Sequence, residues 1–167
     1  ITNFAAERIV LTYHNLHHIK SLCLRITNTF GPRHQMAHDE YGVFNWFIRK
    51  AMDNEVIPIF GDGRILRDYL YIDDLTESLV KIAMSDTAYG EVYNVGSGVP
   101  LSFVELANKI IDITGTGRVD YTEFTTERKA LEPGDYFADI TKIKKTIDWF
   151  PKITIEDGIK RTIEFYR

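Results

Sequence analysis

Two side chains in this sequence are suited to holding a phosphorylated ligand, Arg67 and Asn28. A guanidinium presents fixed, paired donors to phosphate oxygens. Arg67 stands in Leu66-Arg67-Asp68-Tyr69-Leu70-Tyr71-Ile72-Asp73-Asp74-Leu75, whose β-like pattern would hold it still. The same arginine could equally form a surface ion pair with Asp68 or Asp73. Asn28 lies where the run Leu24-Arg25-Ile26-Thr27 gives way to Phe30-Gly31-Pro32. Its amide can donate to a phosphate or sugar oxygen and accept from a hydroxyl. An Asx turn ahead of Gly31 is the alternative for that asparagine.

Other chemistry-bearing patterns are weaker. Gly61-Asp62-Gly63 and Gly96-Ser97-Gly98 let backbone amides approach an anion, but neither completes the glycine fingerprint of a dinucleotide site, so both read as turns. Adjacent Asp73 and Asp74 do not face one another on a helix and read as a cap for the helix that runs to Met84. His14, His17 and His18, and then His34, His38 and Asp39, lack the cysteine or carboxylate pattern of a metal site and read as surface or loop histidines. No Gly-x-Ser-x-Gly elbow supports a hydrolase nucleophile.

The elements that must position these residues alternate in type. Apolar spacing predicts helices over 4–16 and 41–52, then 73–84, and strands over 22–26, 57–60, 67–72 and 92–95. Ser102 to Glu105 forms a capping box, with Leu101 and Leu106 as its hydrophobic staple and Gly115 to Gly117 as the helix stop. A weak strand over 119–122 and helices over 139–147 and 154–166 complete the chain. The pattern predicts an α/β fold with four or five short strands, too few for a complete nucleotide-binding sheet.

Composition narrows the possibilities. The chain has 167 residues, 44% of them hydrophobic, and a formal charge of −4. No global positive field draws it to nucleic acid or anionic lipid, and no apolar run is long enough to span a bilayer, so neither partner is expected. Cys23 is the only cysteine, which excludes an internal disulfide and suits a reducing, cytoplasmic setting. The sequence starts at Ile-Thr-Asn-Phe, directly in a helical pattern, and reads as one unit over 1–167 with something missing upstream.

In order, the segments 24–33, 59–63, 66–75 and 93–98, then Gly134-Asp135 with Trp149-Phe150-Pro151, resemble the C-terminal half of the NAD-dependent nucleotide-sugar epimerase/dehydratase family, the extended short-chain dehydrogenase/reductases. The resemblance covers essentially the whole chain. It implies remnants of a Rossmann-like sheet plus the small substrate-binding α/β domain, with the N-terminal cofactor-binding part absent. It further implies that Asn28, Asn45, Trp46, Ile59, Phe60, Arg67 and Asp135 contact a nucleotide sugar. Active relatives use a tyrosine with a lysine four residues later, the lysine's charge favouring the phenolate, and bound NAD accepts hydride. Here the matching tyrosine would precede Ile1, and Asn3 falls at the lysine position. The resemblance therefore implies no catalytic residue and no cofactor site in this chain alone. Many relatives carry arginine before Pro-Gly-Asp where this chain has Glu132, which would repel a diphosphate unless Arg128 or Lys129 substitutes. In a full-length relative the first helix and the strands around Leu22 and Val92 would pack against the N-terminal half, and the first helix matches one at the family's dimer interface, so the resemblance implies a homo-oligomer. A non-enzymatic assembly module and a truncated piece of an active enzyme are the two alternatives.

Overall fold

The computed structural model describes residues 2–38 and 41–167, the side chains of Glu127 and Arg128 excepted. Along the chain run α1 (Thr2–His17), β1 (Cys23–Ile26), β2 (Asn28–Phe30), α2 (Val43–Met52), β3 (Val56–Phe60), β4 (Leu66–Tyr71) and α3 (Ile72–Ala83). There follow β5 (Val92–Val95), β6 (Pro100–Ser102), α4 (Phe103–Thr114), β7 (Arg118–Thr122), α5 (Thr126–Leu131), α6 (Thr141–Ile147) and α7 (Ile155–Tyr166). The α/β expectation holds, with three parallel strand pairs and one antiparallel pair. The strands outnumber the four or five expected. Three-residue strands such as β2 and β6 are too short to leave an alternating pattern, and what reads as a strand end running into a loop at Asn28 is itself strand.

The chain changes sheet partner at Thr27. β1 runs parallel to β5, from Cys23 opposite Val92 to Ile26 opposite Val95. The Thr27 amide still donates to Val95 O at 2.9 Å. One residue later β2 pairs in parallel with β4, Asn28 opposite Tyr69. Such a change of partner leaves β4 and β5 without ladder bonds to one another, and Asp68 bridges them. This fully buried residue accepts hydrogen bonds from Ser97 N at 2.7 Å, Ser97 Oγ at 2.6 Å, Gly98 N at 3.0 Å and Ala138 N at 3.1 Å. The Gly96-Ser97-Gly98 turn thus binds an anion, but one belonging to the chain itself. Gly96 leaves the room, since a Cβ there would lie 2.5 Å from Asp68 Oδ2.

Period-two alternation along β4 divides the apolar interior into two clusters. Tyr69 and Tyr71 enter one with Phe30, Phe44, Ile48, Leu106, Ile110 and Ile159, brought by β2, α2, α4 and α7. Leu70 enters the other with Leu75, Ile82, Tyr93, Val95, Ile143 and Trp149. At Gly158 of α7, a Cβ would come within 2.6 Å of Phe30 Cζ and 2.9 Å of Tyr71 Cδ2. Glycine to alanine inside a helix ordinarily stabilises by up to about 1 kcal/mol. Here the methyl would overpack an aromatic pair, so Gly158→Ala is expected to destabilise by about 1–2 kcal/mol in thermal unfolding, the opposite sign.

The capping box is present: Ser102 Oγ accepts from Glu105 N, and the Glu105 carboxylate accepts from Ser102 N at 2.9 Å. The Ser102 hydroxyl, with its amide, holds the Glu105 carboxyl below its ordinary range. The aspartate cap is not. α3 starts from Tyr71 without a side-chain cap, and buried Asp74 instead accepts from Lys152 N at 3.1 Å and Ile153 N at 2.9 Å, tying the post-Trp149 turn to α3. None of the α1 side chains is buried, and Phe4, Ile9, Tyr13 and Leu16 are exposed. The helix is held to β1 by Arg25, which grips Glu7 with two bonds of 2.8 Å. Among the described residues, no helix is long and apolar enough to cross a membrane.

Candidate functional site

Register places three polar side chains in a row. Arg67 and Tyr69 are two apart on β4 and share a face, and Asn28 is the direct parallel partner of Tyr69. Over this row lies a cavity of about 410 Å³, a size that suits a small organic ligand. Its apolar walls come from Trp46 and Phe47 on α2, Ile59 and Phe60 on β3, Phe103 at the start of α4, and Phe124 beyond β7. Phe60 and Phe124 face each other with ring centroids 5.9 Å apart. Flat aromatic walls beside fixed polar donors can take a heterocycle on one side and oxygen-rich groups on the other.

Five of the residues expected at a ligand therefore line one cavity: Asn28, Trp46, Ile59, Phe60 and Arg67. Asn45 and Asp135 do not line it. Asn45 is fully buried, its Oδ1 accepting from Gly31 N at 3.2 Å and its Nδ2 donating to Gly31 O at 2.7 Å. That pair of bonds pins the turn after β2, where Gly31 has φ 144° and a Cβ would meet Ile72 Cγ2 at 2.6 Å. Asp135 Oδ1 accepts from Leu66 N at 2.8 Å, while Tyr136 N donates to Leu66 O at 3.0 Å. Both residues bond backbone near cavity-lining positions, Asn45 at Gly31 and Asp135 at Leu66.

Neither acidic residue considered as an ion-pair partner for Arg67 takes that role. Asp68 points to the opposite face of β4, and Asp73 lies 3.8 Å from Arg161. Arg67 Nη1 donates to Leu66 O at 2.8 Å and Gly134 O at 2.6 Å, and Nη2 donates to Glu132 Oε1. The guanidinium also lies 5.5 Å from the centre of the Phe103 ring. Glu132, expected to oppose an anionic ligand, is engaged with the arginine itself. Of the two basic residues suggested as substitutes, Lys129 is exposed and the Arg128 side chain lies outside the described residues.

Sequence reasoning missed Tyr69, Thr27 and His34, all of which line the cavity. Each carries a buried polar atom without a hydrogen-bond partner among the described residues: the Tyr69 hydroxyl, Thr27 Oγ1 and His34 Nδ1. Unsatisfied buried polar groups are rare in folded proteins, and among the described residues a fourth, Trp149 Nε1, lies in the other apolar cluster. The signal for Tyr69 was available as the alternation Arg67, Tyr69, Tyr71. Burial raises the Tyr69 phenol well above its ordinary pKa, so it remains a hydrogen-bond donor at neutral pH. Tyr69→Phe removes an orphaned hydroxyl and is expected to stabilise the ligand-free chain by about 1 kcal/mol in urea unfolding. A loss of stability would mean that the hydroxyl has a partner in solution.

No group of three or more metal-ligating side chains occurs among the described residues. The two glycine turns are occupied by carboxylates of the chain itself. The amides of Ser97 and Gly98 hold Asp68, and the Gly61–Gly63 turn is closed by Asp62 Oδ1 accepting from Arg64 N at 3.0 Å.

The structure thus has an α/β fold in which an arginine and an asparagine face one aromatic-walled cavity beside a partner change in a parallel sheet, a place where ligands commonly bind in such folds. Residues 1–96 match the model of the NAD dependent epimerase/dehydratase family, and the chain belongs to that family. A low-salt glycan biosynthesis protein, Agl12, of Haloferax volcanii is 34% identical across 99% of this chain, which covers 51% of that protein. The UDP-glucose 4-epimerase of Thermotoga maritima, solved with UDP-glucose, is 30% identical with a TM-score of 0.88, over 98% of this chain and 50% of its own. The UDP-glucose 4-epimerase of Thermus thermophilus, solved with NAD, is 26% identical with a TM-score of 0.82, over 98% and 51%. The chain thus spans about half the length of the relatives it matches.

Proposed function

We propose that this chain is the C-terminal, sugar-nucleotide-binding half of an epimerase/dehydratase-like protein, forming one unit over 1–167, and that it is inactive alone. The observation that carries this reading is the single cavity shared by Arg67 and Asn28. Arg67 would hold the diphosphate and Asn28 a phosphate or sugar oxygen, with Ile59 and Phe60 beside the base and Trp46 closing the opposite wall. Tyr69 would form the floor between Arg67 and Asn28. Asn45 and Asp135 would act by fixing the Gly31 turn and the Leu66 backbone. NAD and the proton-accepting group would come from elsewhere, since Asn3, exposed on α1, has no charge with which to activate a phenol. A cytoplasmic setting is proposed because Cys23 is the only cysteine in the sequence.

The experiment is a ligand-dependent melting series on the 167-residue chain with UDP-glucose, UDP-glucuronate and dTDP-glucose, followed by incubation with NAD and the same sugars. A raised midpoint with no sugar conversion is the expected result. Turnover would contradict inactivity, and an unmoved midpoint with all three would contradict binding. A second reading, a self-associating assembly module that retains the fold, is favoured by the exposed apolar face of α1. It predicts a concentration-dependent mass in light scattering and no response to the nucleotides.

A further inference from the structure

We propose that Glu132 is an internal anion, a carboxylate that occupies Arg67 in the ligand-free chain and that a ligand phosphate must displace, so that it sets the affinity of the cavity. This inference rests on the sugar-nucleotide reading. Arg67 is anchored on one side only by neutral groups: Nη1 is fixed by the carbonyls of Leu66 and Gly134, at 2.8 and 2.6 Å. Its other terminal nitrogen faces the Glu132 carboxylate, and Glu132 lines the cavity beside it. Among the described lining residues, Arg67 and Glu132 are the formal charges, one of each sign, and they cancel. A doubly negative diphosphate therefore meets an arginine that is already paired, with a carboxylate of like sign beside the position it must take.

The chain delivers Glu132 to this position and also lets it leave. Downstream, Asp135 and Tyr136 are bonded to both backbone groups of Leu66, at 2.8 and 3.0 Å, so the segment cannot drift from β4. Upstream lies the six-residue α5, whose last residue, Leu131, is 82% exposed. Between them Gly134, at φ 83°, supplies a turn that a side chain would strain, and its amide donates to Glu132 Oε1 at 3.3 Å. Displacing the carboxylate breaks this local pairing and exchanges one anion for another at Arg67. No buried apolar side chain has to move. The ion pair is only partly exposed, with Arg67 and Glu132 side chains at 11% and 22%, so salt screens it less than a surface pair and its competition with a ligand is correspondingly stronger.

The test is calorimetric titration of the chain and of Glu132→Gln and Glu132→Ala with UDP, and with inorganic pyrophosphate as a probe that lacks base and sugar. Both variants are expected to bind UDP and pyrophosphate about tenfold more tightly than the parent chain, the effect of removing one like charge in contact with the bound anion. Equal or weaker binding of UDP by both variants, with the parent chain binding normally, overturns the role of Glu132 and leaves the binding reading intact. Absence of UDP binding by all three at millimolar concentration overturns both.

Discussion

Asp68→Ala is expected to lose about 4 kcal/mol of stability, a large part of the total for a domain of this size, and to shift the urea midpoint accordingly. The carboxylate is fully buried and accepts from four donors, the amides of Ser97, Gly98 and Ala138 and the Ser97 hydroxyl. Hydrogen bonds to a charged group contribute about 1.5–3 kcal/mol each, and buried donors left without an acceptor bear their full desolvation penalty. The effects are not additive, because Ser97 can re-pair in part with solvent. The loss still exceeds that of an ordinary core truncation, because Asp68 replaces the ladder bonds that β4 and β5 do not make. Asp68→Asn is expected to cost about half as much, since its amide group turns a donor toward donors. A midpoint within about 1 kcal/mol of the parent would show that the gap between these strands is held by something else.

The second large effect is on binding. Arg67→Ala is expected to weaken UDP binding about 100-fold and Arg67→Lys about tenfold, as read by calorimetry. A charged, bidentate contact to phosphate is worth one to two decades of affinity, and lysine keeps the charge while losing the fork. Lysine would also lose the paired carbonyl anchors that Arg67 makes to Leu66 and Gly134, so its ammonium would be less well aimed. Equal affinity for lysine and arginine would place the phosphate away from the guanidinium. Because Glu132 contacts the same nitrogen, changes at 67 and 132 are expected to be coupled in a double-mutant cycle.

The sequence was most informative where chemistry and local pattern coincide. The capping box at Ser102 and Glu105, the helical spacing of α2 and the strand around Arg67 are local properties, and the structure has them where they were expected. Arg67 and Asn28 could be nominated from side-chain type, while their meeting in one cavity depends on the parallel pairing of β2 with β4, a long-range fact invisible in either segment. The partners of Arg67 follow the same logic. Asp68 adjoins Arg67 in sequence but lies on the other face of the strand, whereas Glu132, 65 positions away, reaches the guanidinium. Asn45 illustrates a polar residue on a buried helix face. Its amide satisfies the Gly31 backbone, and no property of α2 alone distinguishes that role from ligand contact. Tyr69 shows the converse, an apolar-looking strand position whose hydroxyl has no partner among the described residues.

The two tryptophans allow the binding account to be tested in one spectrum. Trp46 lines the cavity, while Trp149 is buried in the other apolar cluster beside Ile143 and Tyr93. In an NMR titration of the labelled chain with UDP, the Trp46 indole and the Asn28 side-chain amide are predicted to shift saturably with a common dissociation constant while the Trp149 indole stays fixed. Saturable movement of Trp149 with Trp46 and Asn28 unmoved, or no saturable movement at any of the three, would contradict the assignment of this cavity as the nucleotide site.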